Sequence, residues 1–100
     1  MEKFLYYNEL YLIYKDLINT KTKDVFDLYY GENLSMQEIA DIKEISKSRV
    51  GSIIKSIERK LDKYESALKV YENNNKLLNL LESNNITEIK KEIEEIIKGE

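Results

Sequence analysis

The chain has 100 residues, a net charge of −3, and no cysteine, histidine or proline. That length suits one domain with room for an appended helical segment, and it can bury a modest core. Without cysteine there are no disulfides or thiolate metal sites; no apolar run can span a bilayer and no leader opens the chain, so a soluble cytoplasmic protein is expected.

The absence of proline and the long 3.6-residue periodicities predict an all-α fold. Helix 1 is expected over roughly residues 2–18. Phe4, Tyr7, Tyr11, Tyr14 and Ile18 form one apolar stripe, and Tyr6, Leu10, Ile13 and Leu17 form a second beside it. So wide an apolar surface exceeds what one small neighbour covers, so part of it is expected to face another subunit. Asn19 is the expected cap of helix 2, Thr20 to Tyr30, and Gly31 suits a left-handed stop after it. Next come two start signals. Ser35 and Glu38 make a capping box with Leu34 and Ile39 as its staple, and the short helix 3 ends near Ile42. Lys43-Glu44-Ile45 is the turn, and if Glu44 is left-handed there it costs about 1 kcal/mol. Ser46 caps helix 4, with Ile45 and Val50 as the second staple. Two helices restarted so soon must cross steeply, which is a helix-turn-helix over about residues 35–61.

Helix 4 continues in a heptad seam of Val50, Ile54, Ile57, Leu61, Tyr64, Leu68 and Tyr71, the pattern of a coiled coil or a long bundle helix. Asn73-Asn74-Asn75 is expected to break it. A short helix over Lys76–Glu82 follows, then a break at Ser83-Asn84-Asn85. A last helix capped by Thr87 carries a stripe of Ile89, Ile93, Ile96 and Ile97. The division expected is a helix-turn-helix domain over 1–72 and a C-terminal helical arm over 73–100.

Charge is uneven. Residues 46–63 hold six basic and two acidic side chains, although the whole chain is acidic. With Val50, Ile54, Ile57 and Leu61 inward, Ser48, Ser52, Lys55 and Arg59 fall opposite, flanked by Arg49, Ser56 and Lys63. Lys47, Ser48 and Arg49 occupy the first turn, the part of a recognition helix that meets base edges. Arg49 has the fork that matches guanine O6 and N7. Ser48 and Ser52 suit bases or phosphates, and Lys55, Arg59 and Lys63 suit phosphates. Glu58 and Asp62 stand three residues after Lys55 and Arg59 and are expected to pair with them, blunting the field. The same face is also what any solvated helix shows. The tyrosines fall at helical spacing beside aliphatics, which favours core use over stacking on single-stranded nucleic acid. No set of acid, base and nucleophile can be assembled, no glycine-rich loop cradles phosphate, and no carboxylates have metal-ligand spacing, so no enzyme, cofactor or metal is expected.

The set Leu28-Tyr29-Tyr30, Leu34-Ser35, Glu38-Ile39-Ala40, Ile45-Ser46, Val50, Ile54-Lys55 and Glu58 to Leu61 resembles the helix-turn-helix of region 4 in bacterial sigma factors. Together with the Tyr-rich opening, Ile18-Asn19 and Leu61-x-x-Tyr64-Glu65, the chain resembles more closely the YlxM family of small helix-turn-helix proteins, over about residues 4–82. The resemblance implies a bacterial DNA-binding protein whose genes commonly lie beside that of the signal recognition particle GTPase. It carries the recognition positions onto Lys47, Ser48, Arg49 and Ser52. The outward residues at 47–52 differ from the family's usual ones, so any target sequence differs too.

Two functions stay open at this point. One is a homodimeric DNA-binding regulator, with the heptad seam and helix 1 as dimer surfaces. The other is a helical interaction module that binds a signal recognition particle component through the isoleucine stripe at 89–97, without binding DNA.

Overall fold

A computed structural model describes residues 2–82 and 85–99. Among these residues the fold is all-α, with six α-helices: α1 Glu2–Tyr14, α2 Lys23–Phe26, α3 Met36–Lys43, α4 Lys47–Leu68, α5 Val70–Leu80 and α6 Ile86–Lys98. A 3₁₀ turn over Lys15–Leu17 follows α1, and a π-helical turn over Asp27–Gly31 follows α2. Helix 1 is therefore shorter than expected, and Ile18 is extended.

The start of helix 2 needs correction. Asn19 caps nothing. Thr20 Oγ1 accepts from the Thr22 N–H at 3.2 Å and bonds its hydroxyl at 2.8 Å, holding a local turn in place of the first helical turn. The left-handed stop falls on Asn33, φ 56°, and not on Gly31. Between them the helix widens, with Glu32 N–H donating to Asp27 O at 3.1 Å. This widening sets Tyr30 in the core, stacked with Phe4 at 4.7 Å and close to Phe26 at 4.4 Å.

The two central caps form as their sequence dictates. Ser35 Oγ accepts from Glu38 N–H at 3.1 Å while Glu38 Oε1 accepts from Ser35 N–H at 3.1 Å. Ser46 Oγ accepts from Arg49 N–H at 3.0 Å. Glu44 between the helices is left-handed, φ 56° and ψ 42°. Across it Ile45 N–H donates to Ala40 O at 3.1 Å. Leu34 and Ile45 pack on the core beside fully buried Ile39 and Val50. Lys43 pairs with Asp24, tying α3 to α2, and the Lys43 ammonium holds the Asp24 carboxyl below the usual carboxylate range.

The core draws on α1 through α4 alone. Leu10, Tyr14, Phe26, Ile39, Val50, Ile54, Ile57 and Leu61 are its deepest members, joined by Ile53. Each aliphatic side chain so buried contributes about 1.5–3 kcal/mol. The heptad seam is thus consumed inside one chain as far as Leu61, is half-buried at Tyr64 and exposed at Leu68, where α4 ends; Tyr71, its last member, lies in the next helix and packs half-buried on the core. It is no free coiled-coil surface. Most of the wide face of helix 1 is covered by α4, α5 and the π turn, but Leu17 in the 3₁₀ turn is exposed, and Leu5 and Leu12, outside the two stripes, face solvent.

The break after α4 is at Lys69, left-handed with φ 54°, and not at Asn73–Asn75, which lie inside α5. Glu65 of α4 causes it. Its Oε1 accepts from Tyr71 N–H at 3.1 Å and its Oε2 from Glu72 N–H at 3.0 Å, while Val70 N–H donates to the Tyr14 hydroxyl at 3.2 Å. These bonds satisfy backbone donors that open a helix and normally find a cap. Helix α5 runs over Val70–Leu80 in place of the short helix expected over Lys76–Glu82. α6 is capped by Asn85, whose Oδ1 accepts from Glu88 N–H at 3.1 Å, and Thr87 lies within its first turn. The expected break at Ser83 and Asn84 lies outside the described residues. The chain is elongated, 57 × 22 × 17 Å, with a radius of gyration of 17.3 Å. A compact domain of this length has about 13 Å.

Candidate nucleic-acid interface

All seven residues singled out on α4, namely Lys47, Ser48, Arg49, Ser52, Lys55, Arg59 and Lys63, are exposed. The opposite side of the helix is buried from Val50 to Leu61, and this burial fixes which face looks out. Lys47, Ser48, Ser52, Lys55 and Arg59 come together along one shallow groove of about 700 Å³, with Gly51 and Met36 at its floor. Arg49 and Lys63 lie outside that groove, on the flank of α4. Gly51 is half-buried under Met36 of α3, whose Sδ would stand 3.8 Å from an added Cβ. That is an ordinary contact distance, so α3 does not require glycine here.

The expected pairing of Glu58 with Lys55 and of Asp62 with Arg59 does not form. Glu58 is buried and accepts from the Tyr30 hydroxyl at 2.7 Å. Asp62 accepts from the Tyr7 hydroxyl at 2.9 Å. Tyr11 donates in the same way to Asp27, and Tyr14 to Glu65 at 2.6 Å. Burial, then the carboxylate partner, raises these phenols: Tyr7 and Tyr14 to about 12, Tyr11 and Tyr30 further. They hold their protons at neutral pH and act as donors.

The result is electrostatic. Two acids of α4 are turned toward α1 and the π turn, and its basic side chains are left to solvent. Among the described residues the ion pairs are Lys43–Asp24, Lys76–Glu72 and Lys98–Glu94, none of which uses a cation of α4. The first turn of α4 carries no acidic residue. Its N-terminus therefore adds the positive end of the helix dipole to Lys47 and Arg49. The groove can accept an anionic backbone and offer hydroxyl and cationic donors to it.

Two contributors escaped the sequence. Lys60 adds an exposed cation on the flank of α4. Lys3 lines a smaller depression together with Lys55, Met36 and Tyr29, so the basic surface continues onto the start of α1. No local pattern links residues so far apart in the chain.

The profile of a family described as "Putative helix-turn-helix protein, YlxM / p13 like" matches residues 1–99. A UPF0122 protein of Ureaplasma parvum serovar 3 is 41% identical over 87 residues, covering 87% of this chain and 88% of that protein. One from Mycoplasma mycoides is 38% identical over 91 residues, covering 88% and 80%. One from Oceanobacillus iheyensis is 29% identical over 98 residues, covering 98% and 93%. No solved structure matches the chain. With its paired caps, left-handed turn residue and family profile in agreement, the chain belongs to the UPF0122 family of YlxM/p13-like helix-turn-helix proteins.

Proposed function

We propose that this chain is a cytoplasmic DNA-binding regulatory protein that lays the first turns of α4 in the major groove. The observation that carries this reading is the unpaired basic face of α4, cleared of its own carboxylates by hydrogen bonds to tyrosine. Arg49 reads a guanine edge, Ser48 and Ser52 bond to bases or phosphates, and Lys47, Lys55, Arg59 and Lys63 neutralise phosphates. The excess is small, so one copy binds weakly and with strong salt dependence. Two copies double the basic face and engage two half-sites.

The test is a fluorescence-anisotropy titration of random and upstream-region duplexes at two salt concentrations. Binding should weaken steeply with salt. A Ser48→Ala/Arg49→Ala/Lys55→Ala variant should lose binding and reduce the salt slope by about 1–2. Unchanged binding in that variant refutes the face. Absence of binding even at low salt refutes DNA recognition. It would favour the alternative, an interaction module for a component of the signal recognition particle.

A further inference from the structure

The two arm helices are antiparallel: Leu77, Leu78 and Leu80 at the end of α5 lie beside Ile89 and Ile93 of α6, and Glu72, Asn73 and Lys76 nearer its start lie beside Glu95 and Ile96. Neither helix has a buried residue. Two helices side by side can cover only the edge where they meet, and the apolar residues beside that edge stay open. Leu78 is 59% exposed, Leu81 82%, Ile86 68% and Ile97 79%, with Leu77 and Ile93 also outside. Leu77, Leu78, Leu81 and Ile93, with Leu80, Ile89 and Asn74, line a groove of about 710 Å³ without a charge, and Ile86 and Ile97 share the Ile93 side of α6 at helical spacing. An apolar face of this extent on a chain of this size marks an association surface.

We propose that this open face of the α5–α6 hairpin is where a second copy of the chain docks, face to face, giving a four-helix bundle. It deepens the two-copy part of the function above and does not depend on DNA being bound.

Three observations select a second copy. First, the α4 seam is buried within one chain through Leu61, and α1 with the turn after it exposes Leu5, Leu12 and Leu17, fewer large apolar side chains than the hairpin does. Second, Leu77, Leu78, Leu81, Ile86, Ile93 and Ile97 are all exposed and together form an apolar face on the order of a few hundred Å², the scale that marks an association surface. Third, the rim is complementary to itself. Lys90 and Glu94 stand one turn apart on the outer edge of α6, beside Ile93 and Ile97. An antiparallel copy related by a two-fold axis sets Lys90 against Glu94 of the second copy, and Glu94 against its Lys90. Glu94 already touches Lys98 at 2.7 Å, an exposed contact that is readily exchanged.

The experiment is sedimentation of the full chain from about 1 μM to about 1 mM, a range that detects even millimolar association. The expected species is a dimer of the 11.9 kDa chain. Leu81→Glu and Ile97→Glu should each weaken association by about 10-fold or more, because each sets a charge against apolar side chains of the second copy. Both positions are exposed in one copy, so circular dichroism should not change. Lys90→Glu should weaken the dimer several-fold, and adding Glu94→Lys should restore it. Leu12→Glu, on the exposed side of α1, should have no effect. A monomer at the highest concentration overturns the proposal, as does a dimer that survives Leu81→Glu and Ile97→Glu or is lost with Leu12→Glu. A charge swap without rescue overturns the antiparallel arrangement. No DNA enters the measurement, so its failure is separate from failure of the titration above.

Discussion

Replacing Glu65 by alanine is expected to destabilise the chain by about 2–4 kcal/mol and to loosen the arm first. The figure has two parts. The Glu65 carboxylate stands in for an N-cap, accepting from Tyr71 N–H at 3.1 Å and Glu72 N–H at 3.0 Å. Loss of a cap costs about 1–2 kcal/mol. The same carboxylate accepts from the Tyr14 hydroxyl at 2.6 Å, and Tyr14 is only 2% exposed. A buried hydroxyl that loses its acceptor costs a further 1–2 kcal/mol or so. Against a typical total stability of about 5–15 kcal/mol this is a large loss. Glu65→Gln keeps a neutral acceptor and should lose roughly half as much. Urea denaturation followed by circular dichroism gives the energy, and amide hydrogen exchange gives the place. Protection at Tyr71 and Glu72 should fall, while Arg49 and Val50, held by Ser46, keep theirs. A loss below about 0.5 kcal/mol, the level of an ordinary surface change, would refute the cap, as would unchanged exchange at residues 71 and 72.

Gly51→Ala should stabilise the protein by about 1 kcal/mol, because the position is helix interior and the new methyl meets Met36 Sδ at an ordinary 3.8 Å. The melting temperature should rise by about 4–8 °C, and a fall would mean α3 and α4 pack more tightly than described. Glu44→Gly should gain about 0.5–1 kcal/mol by relieving a left-handed glutamate, φ 56°, net of glycine's greater chain entropy; denaturant midpoints read this directly. Alkaline pH should unfold the chain. Tyr7 and Tyr14 are raised to about 12 by burial and by their carboxylates, and Tyr11 and Tyr30 are raised further. Unfolded tyrosine titrates near pH 10, so the unfolded chain releases protons that the folded chain keeps. Stability is therefore intact below about pH 10 and falls as pH rises toward the folded values. Tyrosinate absorbance should grow in step with loss of helical dichroism, and gradual titration of these four phenols in a fully helical protein would contradict the network.

The helix-turn-helix itself was legible in the chain because its signals are short-range. Ser35 with Glu38, Ser46 with the Arg49 N–H, and the left-handed Glu44 each act within one helical turn, where the spacing along the chain is the spacing in space. The outward face of α4 follows from the same period once Val50, Ile54, Ile57 and Leu61 are taken as inward. What lay outside local reach was decided by partners far along the chain. Lys69 breaks the helix because Glu65 and Tyr14, 51 positions apart, together satisfy the start of α5. The three asparagines stay helical once that start is held. Gly31 yields the left-handed position to Asn33 because the π turn that seats Tyr30 in the core moves the stop by two residues. Glu58 and Asp62 have lysine and arginine one turn away, yet bond to Tyr30 and Tyr7. A salt bridge in water is worth little, and the Glu58 carboxylate, which packing has drawn into the core, must have a donor there; Asp62 stays exposed and bonds Tyr7 at the surface. The charges along the chain thus named the basic helix, and only the tertiary packing of the tyrosines determined that its cations stand free of the neighbouring acids.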